Sequence, residues 1–236
     1  MSLLIRVIDF ETTGLPTDEG GASLVETGFC DVRVDDGMAA VIGLPVSAYV
    51  NPGRPIPVIA RAVHHIGDDD VAHAAVQEVA LAAITPEAAN QVIYAAHNAD
   101  FERAFFGADA RWICTYKVAL RLWPDAPAHS NQVLRYHLSL AVDAGLAQPV
   151  HRAGPDAYVT AFLLAHCIND GRASVDEMVR WSDGPALLPR IPFGKHRGSR
   201  WEDVPVDYLD WVANKSDLDR DAKANARHHL KKRGAA

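Results

Sequence analysis

Cysteine is scarce: Cys30, Cys114 and Cys167 are the three in 236 residues. They are odd in number and far apart, which argues against a disulfide framework and against a CxxC metal motif. Long apolar runs are missing too, and no stretch approaches the roughly 20 residues that a membrane span needs. The start, Met-Ser-Leu-Leu-Ile-Arg-Val-Ile-Asp, is charged too early for a secretory leader. A cytoplasmic protein with no membrane contact is expected. There is no internal repeat and no low-complexity tract. Positive charge is short over most of the chain, where residues 1–189 hold 12 Lys+Arg against 23 Asp+Glu. Residues 190–236 reverse the balance, with 11 against 7. A polyanion would be met by that C-terminal segment, while an acidic metal site would sit in the larger part.

What is present suits a folded domain with a sizeable core, or one domain with a small appendage: 49% of residues are hydrophobic and 22% charged. Leu3 to Ile8 reads as a first strand, Ser23 to Val34 as a second, closed by Asp35-Asp36-Gly37, and Val46 to Val50 as a third. Helical texture begins at Ile59, with Val71 to Ala83 its clearest run, and Thr85-Pro86-Glu87 reads as a helix start. Gln91 to Ala95 and Arg111 to Thr115 are further strands, each followed by a helix, at Phe101 to Phe106 and at Tyr116 to Leu122. Asn131 to Leu140 and Asp156 to Ile168 complete the helices. Strands in a meander, then strands alternating with helices, predict an α/β fold with helices packed on a mixed sheet. Proline punctuates residues 185 to 192, where the charge reverses, so a boundary is expected there.

Asp9-Phe10-Glu11 ends the first strand. Side chains two apart on a strand share a face, so both carboxylates point to one spot and call for a cation. Hard oxygen ligands suit Mg²⁺ or Mn²⁺, which can promote hydrolysis of a phosphodiester. Two later sites supply more acids. His97-Asn98-Ala99-Asp100-Phe101-Glu102 follows a buried-looking strand, at the kind of strand end where active sites gather. His151 precedes Asp156 by five positions, with Pro155 opening a helix between them. Asp9, Glu11, an acid from the Asp100/Glu102 pair and Asp156 could hold two divalent ions. His151 could take a proton from the attacking water.

The order of these motifs resembles the DnaQ-like 3'-5' exonucleases of the DEDDh type. Their motifs are Asp-x-Glu on the first strand, His-Asn-Ala-x-Phe-Asp, and His-x4-Asp. The resemblance covers nearly the whole chain. It extends through Trp112 to Lys117, Arg121 to Pro124 and Ser130-Asn131 to a branch of the family with a short tail module, matched here by Phe193 to Gly198 and Tyr208 to Trp211. The implied fold is ribonuclease H-like, with a five-stranded mixed sheet over residues 1 to 185 and a small basic helical module over 190 to 236. The implied activity is release of nucleoside 5'-monophosphates from DNA 3' ends.

One departure stands out: where the family carries the last Asp of its second motif, this chain has Glu102, with Asp100 two positions earlier. On a helix these two point about 200° apart. Glu102 is favoured as the third acid because Phe101 then keeps the family register. The resemblance further implies that Phe10, Thr12, Thr13, Gly14 and Leu15 face the terminal nucleotide, along with His65, Asn98 and Phe101. In the tail, Lys195, Arg197 and Arg200 would contact nucleic acid. A structural reading of Val63 to Ile66, with both histidines on the surface, is open on spacing alone. The same metal site could act on RNA, and a non-catalytic binder retaining the fold is the rival from a different class.

Overall fold

The computed structural model describes residues 2–86, 92–106 and 110–234. The helix start expected at Glu87, and the Gln91 end of the fourth expected strand, lie outside the described residues. The three N-terminal strands are β1 (Leu3–Thr12), β2 (Leu24–Asp35) and β3 (Met38–Asn51). They form an antiparallel meander, with Leu3 opposite Val34 and Asp35 opposite Met38. Two shorter strands, β5 (Ile93–Ala96) and β6 (Arg111–Cys114), add in parallel beyond β1. A two-residue strand, β4 (Ala75–Val76), pairs in parallel with the end of β3 and makes the sheet six-stranded, in the order β4-β3-β2-β1-β5-β6.

Ala75–Val76 lies inside the run expected to be one helix from Val71 to Ala83. That run is instead split between α2 (Asp68–Val71), β4 and α3 (Gln77–Ile84), after α1 (Val58–His64). Alanine favours helix only weakly enough for tertiary pairing to override it. Here Val50 pairs with Ala75, and the Asn51 side chain donates to the Ala72 carbonyl (3.1 Å).

Alternation along β1 and β2 builds the two layers. Ile5 and Val7 on β1, with Cys30, Val32 and Val34 on β2, face one buried cluster; Ile8 and Phe10 face another on the opposite side of the sheet. The first layer is covered by α7 (Ala153–Asn169), a helix of 17 residues with Ala157, Ala161, Leu164 and Ile168 buried. It starts three residues before the expected Asp156. Pro155 fits in its first turn because the N–H it lacks would have no intrahelical acceptor. The second layer is covered by α3 and by α4 (Asp100–Phe106), whose Phe101 and Phe105 pack on it.

α7 comes flush against the sheet where side chains are absent. A Cβ on Gly28 would stand 2.2 Å from the Ala153 carbonyl carbon, and one on Gly154 would meet Ser47 Oγ at 2.2 Å. Backbone cannot yield as a flexible side chain can, so Gly28→Ala is expected to cost about 1–3 kcal/mol through overpacking. Thermal unfolding checks this, and an unchanged midpoint would contradict the close packing.

α5 (Thr115–Leu122), α6 (Asn131–His137) and α8 (Val175–Asp183) complete the main body. α6 ends earlier than expected because Ser139 takes a left-handed conformation (φ 51°) and the chain turns back, Leu140 N–H donating to the Arg135 carbonyl. The last of these helices sits against β6 and begins with a capping box, Ser174 and Glu177 exchanging hydrogen bonds. Beyond it, Ile191, Trp201, Val204, Leu209, Val212, Ala226 and Leu230 form a separate small core. Two short 3₁₀ turns (Gly194–His196 and Trp201–Asp203) and the helices α9 (Val206–Asn214) and α10 (Arg220–Lys232) supply it. The proline-punctuated connector is fastened to this core: Asn225 accepts from Leu188 N–H (2.9 Å) and donates to the Ala186 carbonyl (2.7 Å). All three cysteines are buried in the main body, unpaired. Among the described residues no helix is long and apolar enough to cross a membrane.

Candidate active site

Asp9 and Glu11 fall on the α7 face of β1, past Val7. Asp156 lies in the first turn of that helix, so the strand and the helix meet through carboxylates. One oxygen from each of Asp9, Glu11 and Asp156 lies within 4.8 Å of the others. Asp156 is held in place by the His151 backbone N–H (2.8 Å to Oδ2) and by Gln132 Nε2 (3.2 Å to Oδ1).

Glu102 approaches from the other side. Its side chain is 3% exposed, and Oε2 is buried with no hydrogen-bond partner. Asp100 turns outward instead, where it pairs with Lys117 (2.8 Å) and Arg103 (3.7 Å). The helical offset expected for these two acids is thus realised, and Glu102 is the one directed inward. It stands outside the three-carboxylate cluster but near enough for its charge to act on Asp9.

Burial, then mutual repulsion, dominates the electrostatics. Burial holds the Asp9 carboxyl well above the usual range, with the charges of Glu11, Glu102 and Asp156 adding to the effect. Glu11 is pushed up to about 8 by burial and by Asp156 and Glu26. Glu102 is pushed up to about 8, by burial and then by the Asp100 and Glu11 charges. Asp156 is raised by burial. Among the described residues no Lys or Arg forms an ion pair with any of these four. Four uncompensated carboxylates, one with an orphaned oxygen, fit divalent cations with a preference for hard ligands.

A pH dependence follows from the sign of these shifts. The folded protein keeps protons on Glu11 and Glu102 up to about pH 8, whereas an unfolded glutamate releases its proton near 4.5. The folded state is therefore the better proton binder between those values, and metal-free stability falls as pH rises through that window. A divalent cation held by these acids would replace the lost protons. Mg²⁺ or Mn²⁺ should raise the melting temperature at pH 8 by at least about 2–4 °C, the equivalent of 1 kcal/mol, and by less at pH 5. Equal shifts at both pH values, measured by calorimetry with and without chelator, would contradict it.

Two recesses open beside the carboxylates. One, of about 350 Å³, is lined by Asp9, His97, Asn131, Gln132, His151 and Asp156. His151 is exposed there, in a left-handed backbone conformation (φ 58°) uncommon for a residue with a side chain. His97 is tied at both ring nitrogens, to Thr115 Oγ1 (2.9 Å) and the His129 carbonyl (2.8 Å), and burial lowers its pKa to about 4, so it is neutral and structural.

The other recess, of about 500 Å³, is lined by Phe10, Glu11, Thr12, Thr13, Gly14, Leu15, Val63, His64 and Phe101, among others. Its floor turn is braced. Thr12 Oγ1 donates to the Gly14 carbonyl (2.6 Å), Thr13 Oγ1 accepts from Arg54 (2.9 Å), and Asp18 accepts from Leu15 N–H (2.7 Å). Leu15 stands 56% exposed at the rim.

His64 lines this recess, where His65 was expected. α1 ends at His64, and His65 takes the left-handed cap (φ 60°, ψ 24°), which turns its ring position out to solvent. His64 Nδ1 accepts from Ile66 N–H (3.0 Å) and burial lowers its pKa, so the neutral ring carries its proton on Nε2. Asn98 is exposed on the turn before α4, with φ 78°. Lys195, Arg197 and Arg200 do not reach the carboxylates. Lys195 lies over the Tyr208 ring (5.2 Å), Arg200 pairs with Asp125 (2.7 Å), and Arg197 is exposed.

Sequence reasoning also passed over Glu26 and Arg152. Glu26 sits opposite Glu11 in the β1–β2 register and is 1% exposed. It accepts from Arg152 Nε (3.0 Å) and NH2 (2.7 Å) and from Ala153 N–H (2.9 Å). An acid at an inward strand position, in phase with Cys30 and Val32, was the available signal.

A family model described as "Exonuclease" matches residues 7–164, a span that runs from β1 into α7 and includes all four acids. The chain belongs to this exonuclease family. It is 34% identical over 232 residues to exodeoxyribonuclease 10 of Escherichia coli strain K12, covering 96% of this chain and 99% of that protein. A solved structure of exonuclease X in complex with 5'-overhanging duplex DNA aligns at TM-score 0.62 and 34% identity, over 75% of this chain and 99% of that one. A zinc-bound E. coli exonuclease I complex with single-stranded DNA aligns at TM-score 0.54 and 15% identity, over 77% of this chain and 43% of that one, a likeness of fold alone.

Proposed function

We propose that this protein is a metal-dependent 3'-5' exodeoxyribonuclease that releases nucleoside 5'-monophosphates, with residues 1–185 carrying the chemistry and residues 190–236 forming an accessory basic module. The observation that carries the reading is the meeting of Asp9, Glu11 and Asp156, with buried Glu102 beside them, at the edge of a recess sized for a nucleotide. Likeness to exodeoxyribonuclease 10 over nearly the full length of both chains supports DNA as the substrate.

In this reading Asp9, Glu11, Glu102 and Asp156 hold two divalent cations, Mg²⁺ or Mn²⁺. When bound, these supply positive charge against the attacking and leaving oxygens of the phosphodiester. Phe10, Leu15 and Phe101 enclose the terminal base and sugar, and the backbone of Thr12 to Gly14 approaches the nucleotide closely. His151 accepts the proton of the water that attacks phosphorus. The bond from phosphorus to the 3' oxygen breaks, and the departing strand end takes up a proton. The buried, unpaired thiols are consistent with a cytoplasmic setting.

The test is release of mononucleotide from DNA labelled at either end. The reading expects Mg²⁺- or Mn²⁺-dependent shortening from the 3' end only, abolished by Asp9→Asn, with matched RNA cut more slowly. Metal-independent release, or shortening from the 5' end, would overturn it.

A further inference from the structure

A second cleft, of about 470 Å³, lies where the C-terminal core meets the main body. Its cationic lining comes from both: Arg121 and Arg172 from the body and Arg200 and Lys232 from the tail, with the rings of His228 and His229 beside them. Glu202 is the acid among its lining residues, and it faces Arg200 at 3.8 Å. Like charges gathered in one cleft repel each other, and a nearby anion relieves that repulsion.

Two of these cations are already engaged. Arg172 is held by Asp170 and by the Leu122 carbonyl (2.6 Å), and Arg200 by Asp125 (2.7 Å). Arg121 and Lys232 form no ion pair among the described residues. Arg121 Nε is buried without an acceptor while its guanidinium lies 5.0 Å over the Trp181 ring. A buried guanidinium donor left unpaired costs free energy that a bound acceptor would recover. His228 and Lys232 are exposed one turn apart on α10, so both project from one face of that helix.

The aromatic faces are occupied: Arg121 covers Trp181, and His229 stacks on buried Trp201 (6.2 Å, 12°). Trp181 and Trp201 thus each have a ring partner already, and the side chains left for a ligand, Arg121 and Lys232, are ones that suit phosphate.

We infer that this cleft binds the phosphate backbone of nucleic acid, as a second, sequence-independent contact for the polynucleotide whose end enters the carboxylate site. The inference rests on the proposed nuclease activity for its biological sense, but the experiment separates the two. Full-length protein in EDTA is titrated against a 5'-fluorescein oligonucleotide by anisotropy between about 50 and 200 mM salt. Arg121→Gln and Lys232→Glu should each weaken binding about fivefold and reduce the salt slope by about 0.7–0.9. Lys232 is exposed, so its variant carries the test should Arg121→Gln fold poorly. Both variants should hydrolyse thymidine 5'-p-nitrophenyl phosphate with Mn²⁺ as the parent does, since that ester has no backbone to reach the cleft. Parent-like affinity and slope in both variants would overturn the cleft assignment. So would a loss confined to binding of free dTMP or inorganic phosphate, which would make the site one for small anions. Failure of the parent to hydrolyse the ester would count against the nuclease reading alone.

Discussion

Glu102→Gln is expected to lower nucleotide release by about 10³-fold or more, while Asp100→Asn retains most of it. The amide is nearly isosteric, so packing around α4 survives, but it removes a ligand charge whose stabilisation of a phosphoryl transition state is worth several kcal/mol. The two acids differ in what surrounds them. Glu102 is 3% exposed with an unsatisfied oxygen, whereas Asp100 already has Lys117 and Arg103 for partners. A second readout guards against a trivial loss by misfolding. With one fewer repelling carboxylate, metal-free Glu102→Gln should melt no lower than the parent at pH 8, and should gain less from Mn²⁺. Full activity in Glu102→Gln together with inactivity in Asp100→Asn would reverse the assignment.

Arg152→Ala is the substitution expected to harm stability most. It leaves Glu26 buried, next to the other acids, with only the Ala153 N–H bond of its present three. Breaking a buried pair in this way costs about 3 kcal/mol or more, which corresponds to about 6–12 °C in a chain of this size. The loss should be pH-dependent. The Arg152 charge draws the raised Glu11 carboxyl down, so without it Glu11 binds its proton more tightly and the deficit widens as pH rises through about 8. Adding Glu26→Gln should restore part of the stability, since the buried charge then disappears with its partner. A double variant less stable than Arg152→Ala would mean that the damage comes from lost contacts with Tyr49 instead (3.2 Å).

The centre of the site was legible because local rules placed it. Two-residue spacing put Asp9 and Glu11 on one face, and the 100° step of a helix set Glu102 opposite Asp100. What escaped depended on tertiary pairing or on one backbone dihedral. The left-handed turn at His65 exchanged it for His64 as the recess-lining residue, and no composition signal marks that φ value. The alanine-rich stretch after Val71 gave up helix to complete an edge strand. Arg152 reads as a loop residue until α7 is docked, because its partner is 126 positions away. The basic tail was visible as charge, but the half of the cleft contributed by Arg121 and Arg172 was not.

Sequestration of the thiols has a practical outcome. Burial pushes the Cys30 thiol up to about 12 and raises those of Cys114 and Cys167. Thiolate is the reactive species, so maleimides and mild oxidants should leave the native protein untouched until it unfolds. A single cysteine introduced on the exposed face of α10 would therefore take a fluorophore or spin label alone. The wild-type background is in that sense ready for distance measurements between tail and body, with no need to remove its own cysteines first.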